Sequence, residues 1–530
     1  MKKSNMKQQS ISVVLCDYEC HPKDKIDLNT ISNRLLKDGA VQEVILLNES
    51  LEENLKLLTS LQGKKVIFAG GYTEEIADKL SMKKSDVLSV NLKNAIFDRY
   101  TTPESIVDNV FHQIRSLAII LANKEPIPVD TVKPNPKVLV YGSGLSGLSS
   151  ALRLAGENIP VDILKTPEDE MAPGYLGDLF SDPTLLNQLR EEAMQHDNIT
   201  FLPTMHFHQV VTVDRGFIVK ATNRKSRDLE YGAIIFAPER VEQVSIEAGS
   251  FNLTQLYAKL MAKERLKGTI AFLLDYHEEI TSEIFKDVLH AALQLRKKAS
   301  AEVWVLSKQV QVALRGQEEL YDQCRDAGVI FVKYRDDLEV KNNHGDFTLK
   351  GFDPQVGLEL TISNPDHLII PQKTVLSSSA AAFAQLLKLQ ILNGKYTQPD
   401  SLWRLPNETN RPGIFAVGSA RGNLDLRAVS EDVVSGVFSV RERLNPGGIQ
   451  VKEHIPIVDE DKCVYCLTCV RVCPYGAMAK DVEERVAKVI LSACQACGIC
   501  VGECPAEALQ MRNLKNEAMY SGIRSLVYGR

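Results

Sequence analysis

The stretch CVYCLTCVRVCP, residues 463–474, decides the architecture of the C-terminal part of the chain, and it recurs as CQACGICVGECP, residues 494–505. In each copy four cysteines are separated by two, two and three residues, and a proline follows the fourth cysteine. Three thiolates on one tight loop can hold three irons of a cubane, while the fourth cysteine reaches the other cluster. The proline suits the first turn of a helix, where no backbone N–H is needed. The repeat predicts a domain with two [4Fe–4S] clusters of the bacterial ferredoxin type.

The spacing also assigns the ligands of each cluster, because three thiolates of one loop share a cubane with the fourth thiolate of the other loop. The first cluster is expected to use Cys463, Cys466, Cys469 and Cys504. The second cluster is expected to use Cys494, Cys497, Cys500 and Cys473. A pair of zinc ribbons is the alternative, but a zinc ribbon uses two CxxC pairs, and the repeated spacing with its prolines does not match that pattern.

Three cysteines lie outside the two motifs. Cys324 falls in a helix-like stretch, where a buried and inert thiol is expected. Cys16 and Cys20 stand at the end of a strand-like run, and two thiols are too few for a metal site, so a core or surface pair is expected. His206 and His208 alternate along another strand-like run without an acidic residue or cysteine between them, which favours surface positions.

The composition limits the classes of protein to which the chain can belong. A length of 530 residues suggests about three or four domains. The net charge of −6 gives no electrostatic reason to expect nucleic acid or an anionic membrane as a partner. No apolar run approaches the roughly 20 residues that a membrane span requires, and no cleavable signal follows the basic N-terminus. We therefore expect a cytoplasmic protein, in which clustered cysteines indicate metal binding rather than disulfides.

A glycine-rich turn follows the apolar run Val138–Tyr141 and precedes a helix-like stretch. Its glycines form the pattern GxGxxG. In a strand–turn–helix context they allow a tight turn and a close approach of the backbone to a pyrophosphate, while the helix N-terminus supplies N–H donors and partial positive charge. The candidate cofactor-binding residues of this turn are Gly142, Ser143, Gly144, Leu145, Ser146 and Gly147.

The second strand of this unit ends without the acidic residue that binds ribose hydroxyls in dinucleotide sites. Lys165 stands in that place and is a further candidate contact, although an ammonium group cannot accept a hydrogen bond from a hydroxyl. Two alternatives follow from this departure. Either the adenosine is held differently, for instance by Glu168, or the turn is kept only for packing.

The order of strand-like and helix-like stretches predicts an α/β protein with several domains. A proline-rich linker at residues 126–136 separates a small N-terminal α/β domain from a second α/β unit with an inserted Rossmann-like unit, after which the chain returns through residues 368–370 and 413–417. The acidic residues within 275–279 would repel a pyrophosphate, so no NAD(P) site is expected in the insertion. The predicted domains are residues 1–132, 133–450 with an insertion at about 266–340, 451–512 for the ferredoxin domain and 513–530 for a helical tail.

With these parts in this order, the chain resembles the A-type component of heterodisulfide reductase and its bacterial relatives. The segment RPGIFAVGSARG, residues 411–422, adds to the resemblance, since that family typically has PGIF, a short apolar strand and a small residue near the flavin. The family consists of iron–sulfur flavoproteins. The resemblance implies a thioredoxin-reductase-like FAD fold with an inserted second Rossmann-like unit, an N-terminal α/β domain and a C-terminal two-[4Fe–4S] ferredoxin domain. It also implies bound FAD, with Gly418 and Ser419 among its contacts.

Several positions depart from the family pattern. Of the cysteines that hold a further cluster in the family's N-terminal domain, only Cys16 and Cys20 remain, which implies that this cluster is absent. The alanine-threonine-glycine turn of the flavin domain is replaced by Ala-Pro-Glu at residues 237–239 and is altered again at residues 371–372. Leu424 stands where the family often has a lysine near the flavin. A flavin bound here is therefore expected to have different electronic properties.

The leading hypothesis is an oxidoreductase subunit of a cytoplasmic, anaerobic redox complex, which passes electrons between FAD and the two clusters and needs partner iron–sulfur or flavin subunits for activity. The alternative is a flavin-free scaffold whose clusters form an electron wire. A stand-alone NAD(P)H reductase is opposed by the missing second glycine-rich turn. The tail is expected to form a helix that either caps the ferredoxin module or docks a partner, with an apolar face built from Leu514, Met519, Ile523 and Leu526.

Overall fold

The protein is described from a computed structural model that divides into two compact units. The first comprises Met1–Asp130, Val451–Cys473 and Met478–Arg530, and the second comprises Thr131–Gln450 and Pro474–Ala477. The chain therefore leaves the first unit near residue 130 and returns to it at residue 451. The structure describes residues 11–16, 27–47, 54, 57–70, 82, 86–92, 102–124, 129, 131–166, 175–182, 184–203, 205–223, 225–243, 249–299, 301–335, 338–343, 346–422 and 425–528.

The N-terminal part of the first unit is a parallel sheet with the strand order β2-β1-β3-β4. Asp27 begins the first helix by accepting hydrogen bonds from the backbone N–H groups of Asn29 and Thr30, which have no partner inside the helix. Gly39, in the left-handed region, ends that helix. The elements are β1 (Ile11–Cys16), α1 (Leu28–Asp38), β2 (Glu43–Leu47), β3 (Lys65–Ala69), β4 (Val87–Val90) and α2 (Pro103–Ala122).

The second unit is built around a parallel sheet whose central strands are buried on both faces, as expected for an α/β fold. Strand β12 lies beside β6, and β7 and β8 follow on the other side of β6. The elements are β5 (Thr131–Val132), β6 (Val138–Tyr141), α3 (Leu145–Gly156), β7 (Val161–Leu164), α4 (Leu176–Ser181), α5 (Leu185–Gln195), β8 (Ile199–Leu202), β9 (His206–Val213), β10 (Gly216–Asn223), β11 (Lys225–Tyr231), β12 (Ala233–Phe236), β13 (Arg240–Glu242) and α6 (Leu253–Met261).

An antiparallel sheet in this unit, β11-β10-β9, carries the two histidines that the sequence singles out. His206 and His208 lie on β9 and are exposed, which confirms that they are surface residues. The Nε2 atom of His208 lies 2.7 Å from the Oγ1 atom of Thr222 on the neighbouring strand. This is a cross-strand pair of the kind that stabilises sheets.

The inserted unit has a parallel sheet with the order β16-β15-β14-β20 and an antiparallel sheet with the order β17-β18-β19. The sequence-based return to the first sheet at residues 368–370 needs correction, because β20 pairs with β14 inside the inserted sheet. The insertion therefore extends to about residue 370 rather than 340. Its elements are β14 (Thr269–Leu273), α7 (Ser282–Gln294), β15 (Glu302–Ser307), α8 (Gln317–Asp326), β16 (Ile330–Lys333), β17 (Glu339–Asn343), β18 (Asp346–Asp353), β19 (Leu358–Ser363) and β20 (His367–Ile369).

Cys324 lies on α8 in the core of this insertion. Its side chain is fully buried, and its Sγ atom donates a hydrogen bond to the carbonyl oxygen of Leu289 at 3.3 Å. Burial raises the pKa of the Cys324 thiol to about 12, so that the thiol is protonated at neutral pH. Because the thiolate is the reactive form, the buried and inert thiol expected from the sequence is confirmed.

After the insertion the chain completes the first parallel sheet. Strand β24 pairs with β12, so that the full order is β24-β12-β6-β7-β8. The elements are β21 (Thr374–Leu376), α9 (Ser378–Leu386), β22 (Ile391–Leu392), β23 (Tyr396–Thr397), β24 (Ile414–Ala416), α10 (Leu426–Arg443) and β25 (Ile449–Gln450).

The ferredoxin module is small and built from two short β-pairs, β26 with β29 and β27 with β28. A short helix lies inside each cysteine motif and ends before the fourth cysteine, so the helix that the sequence indicates at each proline is not formed. Its elements, with the final helix of the chain, are β26 (Pro456–Val458), α11 (Thr468–Val472), β27 (Met478–Asp481), β28 (Val486–Val489), α12 (Ile499–Gly502), β29 (Leu509–Met511) and α13 (Asn516–Tyr528). In the part of the chain that the structure describes, no helix is long and apolar enough to cross a membrane.

The final helix lies against the N-terminal domain. Ser116 of α2 donates a hydrogen bond from its Oγ atom to the carbonyl oxygen of Gly522 at 2.9 Å, and Arg115 donates one to the Oγ atom of Ser525 at the same distance. Ile523 and Leu526 are about half exposed. The expectation that this helix caps the ferredoxin module is corrected, because small residues on another face of the helix pack against α2.

We expect Gly522→Leu to loosen α13, because a Cβ atom at this position would lie only 3.1 Å from the side chain of Ile120. Overpacking of this kind should accelerate amide exchange across α13 by about tenfold or more. This corresponds to a decrease of about 1.4 kcal/mol in the free energy of opening the helix. Hydrogen exchange with mass spectrometry measures the effect. The matched control is Ile523→Leu on the exposed side of the helix, and equal exchange in the two variants would argue against the helix contact.

Candidate functional site

The two cysteine loops of the ferredoxin module repeat the same backbone conformation. Non-glycine residues rarely have positive φ, yet Tyr465 and Leu467 of the first loop have φ values of 53° and 59°. At the matching positions of the second loop, Ala496 and Gly498 have φ values of 55° and 77°. Left-handed residues in such turns direct successive backbone N–H groups into concavities that hold anionic groups, including Fe–S clusters. Both loops are therefore shaped as anion-binding turns.

A pocket in the ferredoxin module is lined by the four thiols predicted for the first cluster. The empty volume of this pocket, including the part that is open to solvent, is about 370 Å³. Its cysteines are Cys463, Cys466 and Cys469 of the first motif and Cys504 of the second. Most of the other lining side chains are apolar, among them Val458, Val464, Ala487 and Leu509. The structure thus groups residues from both motifs as the crossed ligand assignment requires, and that assignment stays a prediction that this grouping supports.

Of the four thiols predicted for the second cluster, Cys473 and Cys500 pack in the small apolar core of the module. Cys494 and Cys500 are buried, Cys473 is half-buried and Cys497 is exposed. The backbone N–H of Ala496 donates to the Sγ atom of Cys494 at 3.5 Å. In the other set, the N–H of Ala508 donates to Cys504 Sγ at 3.3 Å. Such N–H···S bonds stabilise negative charge on sulfur and raise the reduction potential of a bound cluster.

Burial opposes ionisation of several of these thiols. It raises the pKa of Cys500 to about 12, and it also raises the pKa values of Cys469 and Cys494. The exposed Cys466 differs, because a hydrogen bond from the side chain of Thr468 lowers its pKa. Metal coordination deprotonates thiols outright, so cluster binding releases protons here and couples metal content to folding. The donor set and its apolar surroundings fit two iron–sulfur clusters.

The glycine-rich turn joins β6 to α3, as the sequence predicts. Gly142 has a φ of 116°, and a Cβ atom there would lie 2.1 Å from the carbonyl oxygen of Ala237, just after β12. A Cβ atom on Gly147 would lie 2.2 Å from the carbonyl oxygen of Gly142. These two glycines are therefore required by close contacts within the backbone of the chain itself.

Gly144 faces a side chain rather than the backbone. Its φ of −77° is open to any residue, but a Cβ atom there would lie 2.4 Å from both the Cγ and Oε1 atoms of Glu239. Glu239 is 1% exposed. Its Oε2 atom accepts a hydrogen bond from Ser419 Oγ at 2.6 Å, and its Oε1 atom accepts one from Ser146 Oγ at 3.4 Å. Because Gly144 is the N-cap of α3, this carboxylate lies at the positive end of the helix dipole.

These contacts test whether the turn fits FAD. In dinucleotide sites the second glycine of the motif lets the backbone approach the pyrophosphate. Here the space beside that glycine, Gly144, holds the carboxylate of Glu239. A buried carboxylate would repel the phosphate charges at close range. The residues at this turn do not fit a flavin pyrophosphate, and FAD at this turn stays a prediction that the geometry opposes.

The remaining candidate contacts fall into two groups. Gly418 has a φ of 70° and packs against Ser146, so that Ser146 and Ser419 meet around Glu239. Lys165, at the end of β7, is exposed. The other turn residues, Ser143 and Leu145, are buried. The side chain of Cys16 and all of Cys20, Glu168 and Leu424 lie outside the described residues.

Sequence reasoning missed two roles around this turn. It treated residues 237–239 as an altered turn, without assigning the Glu239 carboxylate to the cofactor position. It also missed Asp432 on α10, whose Oδ2 atom accepts a hydrogen bond from the backbone N–H of Gly418 at 2.7 Å and which forms an ion pair with Arg421. The exchange of glycine for glutamate at residue 239 was the available signal.

The fold and the cysteine loops define the class of protein. It is an iron–sulfur protein in which a ferredoxin module with two cysteine motifs is joined to an α/β fold. Residues 455–505 match the sequence profile of the family described as "4Fe-4S dicluster domain". Part of the chain is similar to heterodisulfide reductase A-like proteins, which confirms the resemblance seen in the sequence.

The relationship extends over part of each chain. This chain is 24% identical over 192 residues to a heterodisulfide reductase A-like protein of Archaeoglobus profundus, which covers 36% of this chain and 27% of the relative. It is 23% identical over 201 residues to the A-type component of the H(2):CoB-CoM heterodisulfide,ferredoxin reductase of Methanothermobacter marburgensis, with coverages of 38% and 30%. The chain thus spans less than a third of the length of these relatives.

Two further similarities concern single parts of the chain. Over 60 residues, 11% of this chain, it is 38% identical to the pyruvate synthase subunit PorD of Methanothermobacter marburgensis, of which 68% is covered. Among solved structures, the thioredoxin reductase of T. acidophilum aligns with a TM-score of 0.40 and 13% identity, covering 58% of this chain and 98% of that one.

Proposed function

We propose that this chain is an electron-transfer subunit of a cytoplasmic, multisubunit redox complex and that its ferredoxin module carries electrons between partner proteins. The observation that carries the proposal is the pocket in which Cys463, Cys466 and Cys469 of one motif meet Cys504 of the other. Bound [4Fe–4S] clusters supply one-electron redox chemistry. The relatives named as heterodisulfide reductase subunits support a role inside an assembly.

The residues of the module bind the clusters and tune their environment. Apolar side chains around the thiols, among them Met478 and Leu509, limit the access of water. The N–H donors of Ala496 and Ala508 point at cysteine sulfurs. Solvent exposure and hydrogen bonds to sulfur are the means by which a protein sets cluster potentials. The module is therefore built to hold electrons at a defined potential.

The fuller hypothesis adds FAD in the central domain as the source or acceptor of these electrons. The relationship to heterodisulfide reductase A-like proteins supports that form. The carboxylate of Glu239 beside Gly144 favours the other form, in which the central domain carries no flavin. We propose the flavin-free form, in which the two iron–sulfur clusters transfer electrons and the central α/β domain has only a structural role.

We expect the chain, tagged in its native host and isolated under anaerobic conditions, to bring at least one further redox protein with it. The purified chain alone should not reduce a dye with NADH or NADPH, because the acidic turn at residues 275–279 lacks the donors that nucleotide phosphates need. Mass spectrometry of the native eluate and steady-state dye reduction measure the two outcomes. Saturable NAD(P)H oxidation by the isolated chain would overturn the proposal.

A further inference from the structure

The carboxylate of Glu239 occupies the space beside Gly144. In dinucleotide sites the pyrophosphate lies beside this glycine of the turn. Strand β12 pairs with β6 so that Phe236 lies beside Tyr141. The residues that follow these two strands, 237–239 and 142–144, therefore meet at the carboxyl edge of the sheet, which is where open α/β sheets bind ligands. At this edge the pyrophosphate of a dinucleotide would lie at the N-terminus of α3.

Glu239 is held there by its surroundings. It is 1% exposed, and its two carboxylate oxygens accept hydrogen bonds from Ser146 and Ser419. Ser419 is itself fixed, because the backbone N–H of Arg240 donates to its Oγ atom at 3.1 Å. The same neighbours, hydroxyls and a helix N-terminus, would solvate a phosphate group. The carboxylate thus uses the interactions that a pyrophosphate would need.

We propose that Glu239 is a built-in anion that replaces the dinucleotide pyrophosphate at the N-terminus of α3 and excludes FAD from the central domain. The proposal explains why Gly144 is glycine although its φ of −77° does not require one, because the side chain of Glu239 leaves no room for a Cβ atom. It rests on the flavin-free form of the proposed function. The electron-transfer role of the two clusters does not depend on it.

The test compares FAD binding by the wild-type chain, Glu239→Ala and Glu239→Gln. Titration of the holoprotein is followed by quenching of flavin fluorescence. The wild type should show no saturable binding. Glu239→Ala removes both the charge and the side chain, so it should bind FAD saturably, with an affinity at least about a hundredfold above the upper limit set by the wild type. Glu239→Gln removes the charge but keeps the side-chain volume beside Gly144, so its gain in affinity for FAD should be smaller than that of Glu239→Ala.

Two further variants show that any gain arises at this turn. Adding Gly144→Ala to Glu239→Ala should abolish the gain, because the new Cβ atom fills the opened space. Glu242→Gln is the matched control: Glu242 is a partly buried carboxylate, and it accepts hydrogen bonds from the backbone N–H groups of Leu253 and Thr254 at the start of α6. This control should bind FAD no better than the wild type.

The outcomes separate the proposal from the function of the clusters. Saturable FAD binding by the wild type would overturn the exclusion, and so would a folded Glu239→Ala variant without any gain. If Glu239→Ala does not fold, as judged by circular dichroism, Glu239→Gly decides, because it also removes both the charge and the side chain, and the absence of any gain there overturns the proposal. The cluster absorbance, recorded in the same samples, tests the electron-transfer role independently.

Discussion

Replacing Cys504 by alanine should remove the cluster of the first motif and leave the cluster of the second, although Cys504 lies in the second motif. The reason is the pocket that Cys504 shares with Cys463, Cys466 and Cys469. Loss of one thiolate ligand should release one cubane, about four of about eight irons per chain. Conversely, Cys473→Ala should remove the cluster held by the second loop. Iron analysis and electron paramagnetic resonance of the reduced protein measure the two losses.

Double variants sharpen this prediction, because ligands of one cluster act as a unit. Cys504→Ala combined with Cys463→Ala should lose no more iron than either single variant, whereas Cys504→Ala combined with Cys500→Ala should lose both clusters. Cys324→Ala is the matched control, since it removes a fully buried thiol that lies outside both motifs. If Cys504→Ala and Cys500→Ala affect the same cluster, each motif holds its own cubane and the crossed assignment is wrong.

The ferredoxin module could be predicted from the sequence because its information is local. Four cysteines within twelve residues fix which thiols share a loop, and the pocket containing Cys504 agrees with the crossed pairing. The strand–turn–helix order around Gly142 was predicted for the same reason. The burial of Cys324 also agreed with the prediction, because free cysteine is among the residue types that are most often buried.

Other features depend on contacts between distant residues. The sequence marks Glu239 as a departure from the family, but only the pairing of β12 with β6 brings it to Gly144. The last helix shows an apolar spacing, yet it packs through Gly522 and Ser525, which carry no hydrophobic signal. The end of the insertion was placed too early because β20, a short apolar strand, could extend either parallel sheet.

Gly147→Ala should unfold the second unit or destabilise it by more than about 3 kcal/mol, because the new Cβ atom would lie 2.2 Å from a backbone oxygen that cannot move aside freely. Gly142→Ala should be as severe, since its φ of 116° adds strain to a contact of 2.1 Å. Denaturant unfolding followed by tryptophan fluorescence measures both effects, because Trp304 and Trp403, the two tryptophans of the chain, lie in this unit.

Gly156→Ala, in the last turn of α3, is the matched control. Nothing lies within 4 Å of a Cβ atom there, so this variant should be neutral or more stable by up to about 1 kcal/mol. This difference in stability between Gly147→Ala and Gly156→Ala is expected in protein that contains no flavin. It therefore reports on packing of the backbone and not on a bound ligand. If Gly147→Ala and Gly156→Ala unfold alike, backbone packing does not explain the motif, and a ligand at the turn becomes the better explanation. If they differ as expected, the glycine pattern that indicates a dinucleotide site is required here by the fold itself.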